Sequence, residues 1–381
     1  MWDAMSWISA EQALALLGTK PQTLYANVSR GRIAARPDPS DPRRSLYRRD
    51  DVERLASRHR GRPPAKAVAA EAIAWGEPVL TTAISTVRNG RLLYRGQDAA
   101  RLAETATLGG VARLLWNASA EVDFAGRARA LQPGMAAAYR AVAELAATDL
   151  PANGRSLTLL LRDAARTVSF LAGALAAPGT DPVHERLARQ WGRPEAADPI
   201  RRALVLLAEH ELNASTFAAR VTASTGAPLS AAVLAGLAAL SGPLHGTASQ
   251  SLAGLVEEAR RLGPEAAVNA HLRRGQPLPC FGHRLYLDGD VRAPALMASF
   301  AMPPHLAALA EAGERLSGEK PNIDFALTGL TAAFGLSDDA PLTIFALARS
   351  VGWLAHALEQ VETGALIRPR AHYVGVEPPV G

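Results

Sequence analysis

The chain has 381 residues, 48% hydrophobic and 20% charged, which is enough for two or three domains and a sizeable core and excludes overall disorder. Its one cysteine, Cys280, excludes a disulfide framework and a cysteine-rich zinc site and fits a reducing cytoplasm. The net charge of +5 is unevenly placed: residues 1–66 carry +6 and the other 315 carry −1, which points to a polyanion-binding segment on a neutral body.

In chain order, Ser9 followed by Gln12 is a capping-box pattern that predicts a helix from Ala10, ended by Gly18. Pro21 opens a second short helix over 21–29 that closes at Gly31, so the pair reads as helix-turn-helix. A turn-rich stretch, 36–44, follows as a wing. Residues 45–48 return as a strand, and Asp50 or Asp51 caps a helix to about His59. Leu24-Tyr25, Ser29-Arg30-Gly31, the run RRSLY from Arg43 and the run DVERL from Asp51 together resemble the winged-helix DNA-binding modules of the MerR and excisionase type. The resemblance implies that Gln22, Thr23, Tyr25 and Asn27 face the major groove and that Arg30, Arg32, Arg43 and Arg44 neutralise phosphates. A docking appendage that keeps this fold without DNA is the competing reading. The module takes residues 1–60, and a basic, proline-bearing, then alanine-rich linker takes 61–75.

The body, 76–381, opens with an alternating β-branched run over 80–87, an Asn89-Gly90 hairpin turn and a second strand from Leu92. Beyond residue 98 it reads as helices, at 102–116, 125–148, 157–176, 200–225, 230–240 and 343–361. Apolar residues recur there at i, i+3 and i+4 in alanine- and leucine-rich segments. The fold class is mainly α. No apolar run approaches the ~18 residues of a membrane span, and the N-terminus lacks a secretory pattern, so a cytoplasmic protein is expected.

Four short motifs interrupt the helices. They are HELNAST from His210, SGPLHG from Ser241, PCFGHRLY from Pro279 with Arg292 nearby, and PNIDF from Pro321. Three are loops framed by Gly or Pro that present one His or Asp, and loops that hold ionisable residues often carry function. Taken singly each has an ordinary reading: a hydrogen-bonded histidine, a salt-bridge arginine, or a helix start capped by Asn322 or Asp324.

Together, and with LYRG from Leu93, ARSVGWLAH from Ala348 and RPR from Arg368, these motifs resemble the citrate synthase family, which includes 2-methylcitrate synthases. The resemblance runs from about Leu80 to Gly375. It implies a citrate synthase fold of large and small helical domains, the small one near 247–335. It implies condensation of acetyl-CoA with oxaloacetate, with Asp324 as the base, His245 as donor to the thioester oxygen, and His283 polarising the oxaloacetate ketone. His210, Arg292 and Arg349 are implied to hold oxaloacetate, with Arg368 reaching in from a partner subunit of a homodimer. Leu244, Pro279, Phe281, Gly282 and Asn322 are implied to meet coenzyme A. No metal and no cofactor beyond the acyl-CoA substrate is expected. Three positions depart from the family pattern: Leu287 stands where a basic residue is frequent, Cys280 where glycine is usual, and Ala326 where an aromatic is common. Propionyl-CoA in place of acetyl-CoA, or a DNA-binding metabolite sensor, are the alternative readings.

Overall fold

Helix caps that are visible in the sequence start several of the elements. The computed structural model describes residues 7–17, 21–29, 33–38, 41–52, 80–124, 132–243, 245–246, 248–371 and 373–376. The chain divides into two compact units, Met1–Thr81 and Thr82–Gly381. In the first unit, Ser9 N–H donates to Gln12 Oε1 at 3.1 Å and Gln12 N–H donates to Ser9 Oγ at 3.3 Å, closing the capping box at the head of helix Ala10–Leu17. Helix Pro21–Ser29 follows. Strands Trp7–Ser9, Ala35–Asp38 and Asp41–Arg48 form an antiparallel sheet with the last in the centre. Ile8, Ala13, Leu17, Leu24, Ile33, Tyr47 and Val52 make its core.

One expectation for this unit is corrected. Asn27 does not face outward: it is 7% exposed, and its Nδ2 donates to the Thr23 carbonyl at 2.8 Å, as a buried amide must find an acceptor. Thr23, Tyr25 and Arg44 are exposed. Arg30, Arg32, residues 53–60 and the linker 61–75 lie outside the described residues, as do the side chains of Gln22 and Arg43.

The second unit opens with the expected hairpin. Ser85–Arg88 pairs antiparallel with Arg91–Tyr94, and Asn89 and Gly90 turn at φ 50° and 71°, the left-handed conformation that an Asn-Gly turn supplies. Fourteen helices follow among the described residues. Two segments expected as single helices are broken. Thr107 ends the continuity of 102–116 by capping Leu108–Trp116, its Oγ1 accepting Gly110 N–H at 3.0 Å. The segment 200–225 divides into Ala197–Leu207 and Ala214–Ser224, because Glu211 takes φ 52° and Asn213 caps the second helix. Both breaks come from residues that offer the backbone a local alternative to the helix.

The final helix, Ala340–Thr363, runs through the main core beside Ile200, Leu204 and Leu237. Contrary to the expectation that no run approaches membrane-spanning length, this helix is long and apolar enough to cross a membrane. Its apolar window is 94% buried inside the protein, which is the environment of a core helix. A separate apolar cluster joins Leu252, Leu255, Val268, Leu278, Leu306, Leu309 and Phe325. Two loops that matter below, 279–292 and 319–322, lie between these two cores, tied by a bridge between Phe281 and Pro321.

Candidate active site

The break between helices Ala197–Leu207 and Ala214–Ser224 presents His210. Its Nε2 lies 2.9 Å from the Tyr286 hydroxyl, and its ring centre is 5.0 Å from that of His283. Tyr286 also packs 5.0 Å from His283, and the Arg292 guanidinium sits 5.5 Å from the Tyr286 ring. Arg292 is buried and paired: its Nε and Nη2 donate to the two Asp290 oxygens at 2.9 and 2.8 Å. Asp290 Oδ2 also accepts Ile323 N–H at 3.0 Å, so one carboxylate ties Arg292 to the start of the helix that carries Asp324.

That helix, Ile323–Phe334, is capped by Asn322, whose Oδ1 accepts Asp324 N–H at 3.0 Å and Phe325 N–H at 3.4 Å. Asn322 Nδ2 donates to the Gly282 carbonyl at 3.2 Å. The amide is therefore committed to joining the Asp324 and His283 loops. Cys280, buried at the head of the His283 loop, takes φ 63°. A left-handed residue there accounts for the glycine usual at this position.

His245 meets a polar cluster from two helices. Its Nε2 is 2.7 Å from Ser215 Oγ, which also receives Trp353 Nε1–H at 3.0 Å and lies 2.8 Å from Asn213 Oδ1. The single Ser215 hydroxyl proton points to Asn213 Oδ1 here, and turning it to His245 Nε2, with Asn213 Oδ1 still held by Thr216 N–H at 3.1 Å, leaves the His245 proton on Nδ1. In His283 the assignment is direct. Leu285 N–H donates to His283 Nδ1 at 3.1 Å, so the neutral ring carries its proton on Nε2. Arg349 rises from the final helix, its Nε donating to the Leu207 carbonyl at 2.8 Å and its guanidinium 4.6 Å from the Phe345 ring.

Burial sets the protonation states. It pushes His245 down to about 4, with Arg349 adding to the effect. It pushes His283 down to about 4 as well, helped by Arg292. His210 is held well below the ordinary imidazole value, first by burial and then by Arg292 and Arg349. The Asp324 carboxyl is pushed up to about 6 by burial, against the pull of Arg292. At neutral pH the cluster thus holds three neutral imidazoles and one carboxylate that can both take and release a proton. Burial alone would also raise Asp290, but the charge and hydrogen bonds of Arg292 hold it low.

Seven residues were singled out for catalysis and oxaloacetate, and six of them converge here. Arg368 does not: it lies exposed past the end of the final helix. Of the coenzyme A candidates, Phe281 packs its ring 5.3 Å from that of Phe325, and Gly282 N–H donates to the Lys320 carbonyl at 2.8 Å. Pro279 is partly buried, and Leu244 lies outside the described residues. Leu287 is 95% exposed. Tyr286, Asp290 and Ser215 were not singled out. Each stands inside or beside a quoted motif, and that proximity was the available signal. Among the described residues no group of three or more His, Cys, Asp or Glu side chains is placed to hold a metal ion.

The sequence profile "Citrate synthase, C-terminal domain" matches residues 130–370. Citrate synthase 2 of Bacillus subtilis is 29% identical over 351 residues, covering 79% of this chain and 94% of that protein. 2-Methylcitrate synthase 1 of Corynebacterium glutamicum is 38% identical over 196 residues, covering 48% of this chain and 51% of that protein. Citrate synthase from Thermoplasma acidophilum, solved as a ternary complex with carboxymethyl coenzyme A and oxaloacetate, superposes with a TM-score of 0.66 at 25% identity, covering 82% of this chain and 97% of that one. With the profile spanning more than half of its residues, the chain belongs to the citrate synthase family.

Proposed function

We propose that the body condenses acetyl-CoA with oxaloacetate and hydrolyses the product to citrate and CoA. One observation carries the reading: a carboxyl raised to about 6, Asp324, shares a cluster with two neutral histidines, His245 and His283, and two buried arginines. A methyl group beside a thioester is a weak acid, so removal of its proton needs a base and a donor acting together. Asp324 takes the proton from carbon while His245 Nδ1–H donates to the thioester oxygen, giving an enol. The enol carbon attacks the oxaloacetate ketone, and His283 Nε2–H delivers a proton to the oxygen as the carbon–carbon bond forms. Water then cleaves the citryl thioester and releases CoA. His210, Arg292 and Arg349 hold the dicarboxylate, since planar guanidinium forks match carboxylates. Pro279, Phe281, Gly282, Asn322 and Leu244 are the candidates for the coenzyme A side.

Oxaloacetate carries two negative charges, whereas Arg292 is already paired with Asp290. A further cation completes the site, and we assign it to the partner subunit's Arg368 in a homodimer. Exposed Leu366, Tyr373, Val374 and Val376, clustered in sequence after the final helix, supply apolar surface for such a contact. Propionyl-CoA is the alternative acyl donor, supported by the likeness to a 2-methylcitrate synthase. One methylene is worth about 1–3 kcal/mol in a pocket, so the ratio of kcat/KM for the two thioesters decides. Thiol release from the full chain with oxaloacetate and either thioester tests the proposal, and no thiol release with either would reject it.

For the first unit we propose DNA binding, on the charge of +6 over residues 1–66 and on exposed Thr23, Tyr25 and Arg44. Arg30, Arg32, Arg43 and Gln22 are further candidates. Binding of a random duplex should then weaken steeply as salt rises. A salt-independent or undetectable shift would favour the docking reading.

A further inference from the structure

Glu209 immediately precedes His210, is fully buried, and takes no part in the chemistry above. Its Oε1 accepts from Ser85 Oγ at 3.1 Å and from His356 Nε2 at 3.2 Å. The direction of the second bond is settled by the next partner. Arg220 Nη1 donates to His356 Nδ1 at 3.2 Å, and arginine can only donate, so the imidazole proton sits on Nε2. Arg220 also donates to Glu359 Oε2 at 2.9 Å, and Glu359 Oε1 accepts Ala83 N–H at 2.8 Å. On the other side, Ser85 Oγ accepts Glu211 N–H at 3.1 Å and gives its proton to Glu209.

The second oxygen, Oε2, is buried with no hydrogen-bond partner among the described residues. It is pressed against Gly352, where a Cβ would lie 2.3 Å from it and 2.3 Å from the Ala208 carbonyl. A buried carboxylate oxygen without a donor is expensive unless positive charge stands close by. Arg349, three residues before Gly352 on the same helix, is the charge we assign to that role. Glu209 is the largest of the groups that stabilise the charge of Arg349, whose guanidinium burial otherwise pushes down to about 10.

We propose that Glu209 is a positioning residue for oxaloacetate: its carboxylate anchors the His210 segment to the helix bearing Arg349 and is the counter-charge of that arginine. The inference rests on His210 and Arg349 being oxaloacetate ligands. Two ties hold the pair in register: Arg349 Nε holds the Leu207 carbonyl at 2.8 Å, and the Glu209 carboxylate holds His356, while the Tyr94 hydroxyl, 3.1 Å from the Glu209 carbonyl, fixes the segment to the hairpin. The carboxylate is the tie that can be altered without removing a substrate ligand. Loosening it separates two groups that a dicarboxylate must engage together, whereas no acyl-CoA contact proposed above runs through it.

Steady-state kinetics of the full chain test this with Glu209→Gln, Glu209→Asp, Ser85→Ala and Arg349→Lys. Glu209→Gln should raise the KM for oxaloacetate about tenfold and leave the KM for acyl-CoA within about twofold. Glu209→Asp keeps the charge and should return the oxaloacetate KM to within about threefold of the parent. An unchanged oxaloacetate KM in Glu209→Gln, an equal rise in both KM values, or Asp worse than Gln would overturn the proposal. If the Gln variant does not fold, Ser85→Ala removes one donor from the same carboxylate. It should raise the oxaloacetate KM about threefold, and no change would overturn the proposal equally. Arg349→Lys separates the two layers. No rise in its oxaloacetate KM would mean the substrate assignment has failed, while a rise there with none in Glu209→Gln rejects only the role of Glu209.

Discussion

Burial works against the charge of Asp324, which suits the role of base proposed for it. With its carboxyl at about 6, kcat/KM should rise with pH through about 6 and fall about tenfold per unit below it, since only the ionised form accepts a proton. His245 and His283, at about 4, stay neutral across that range and add no second limb. Thiol release measured from pH 5 to 8 checks this, and a flat profile would remove Asp324 from the role. The same shift has a stability consequence. The folded-state value lies above the unfolded one, so the folded protein binds this proton more tightly. Its contribution to stability is present below the unfolded value and is lost as pH rises through about 6. Asp324→Asn should therefore stabilise the protein by about 3 kcal/mol at pH 8, read as a higher Tm. The same variant should lose about 10²–10⁴-fold in kcat. Asp324, His245 and His283 could be read from their motifs because short Gly- and Pro-framed loops display them. Ser215 could not, because a serine near a helix start reads as ordinary capping chemistry. Its role depends on Trp353 and His245, distant in sequence, both reaching the same hydroxyl.

Helix caps connect the elements to this chemistry. Asn322 starts the helix of Asp324 and holds the loop of His283, so one side chain orients the proposed base and a proposed proton donor together. Asn322→Ala should cost about 1–2 kcal/mol in denaturant unfolding. It should also lower kcat more than it raises the KM for oxaloacetate. Asn322→Asp keeps the capping oxygen and should restore most of the stability while failing to restore the donor to the Gly282 carbonyl. A stability loss with unchanged kcat would reduce Asn322 to a simple cap. Elements whose signals are local were legible: the Ser9–Gln12 box and the Asn89-Gly90 turn stand as read. The join within 200–225 was not, because apolar spacing continues on both sides of it. The break comes from Glu211 in a left-handed conformation, held by Ser85 and by Val87 N–H on Glu211 Oε1 at 2.7 Å. Those contacts come from a hairpin more than a hundred residues earlier, and no local window contains them.

At the scale of the whole molecule, the site of one chain holds Arg292 paired with Asp290 and a second buried arginine, Arg349, while Arg368 is exposed beyond the final helix. If the partner subunit's Arg368 completes the site, Arg368→Ala and His245→Ala proteins should each be nearly inactive alone. After co-refolding in equal amounts they should recover about a quarter of parental activity, since half of the random dimers are hybrids and each hybrid holds one intact site. No recovery would place Arg368 outside the chemistry. By itself the sequence determined the family, the mainly helical class and the charge division at residue 66, and it singled out Asp324, His245 and His283 as candidates for handling protons. Those features reside in residue types and short-range spacing, which survive without knowledge of neighbours. The tertiary structure decided which nitrogen of His283 carries its proton, that Asn27 turns inward, and that Asp324 titrates near 6. It also decided that the Glu209 carboxylate is tied to His356, on the helix that carries Arg349. Each of these depends on burial or on a donor from a remote segment, and the strength of a buried charge is set by everything packed around it.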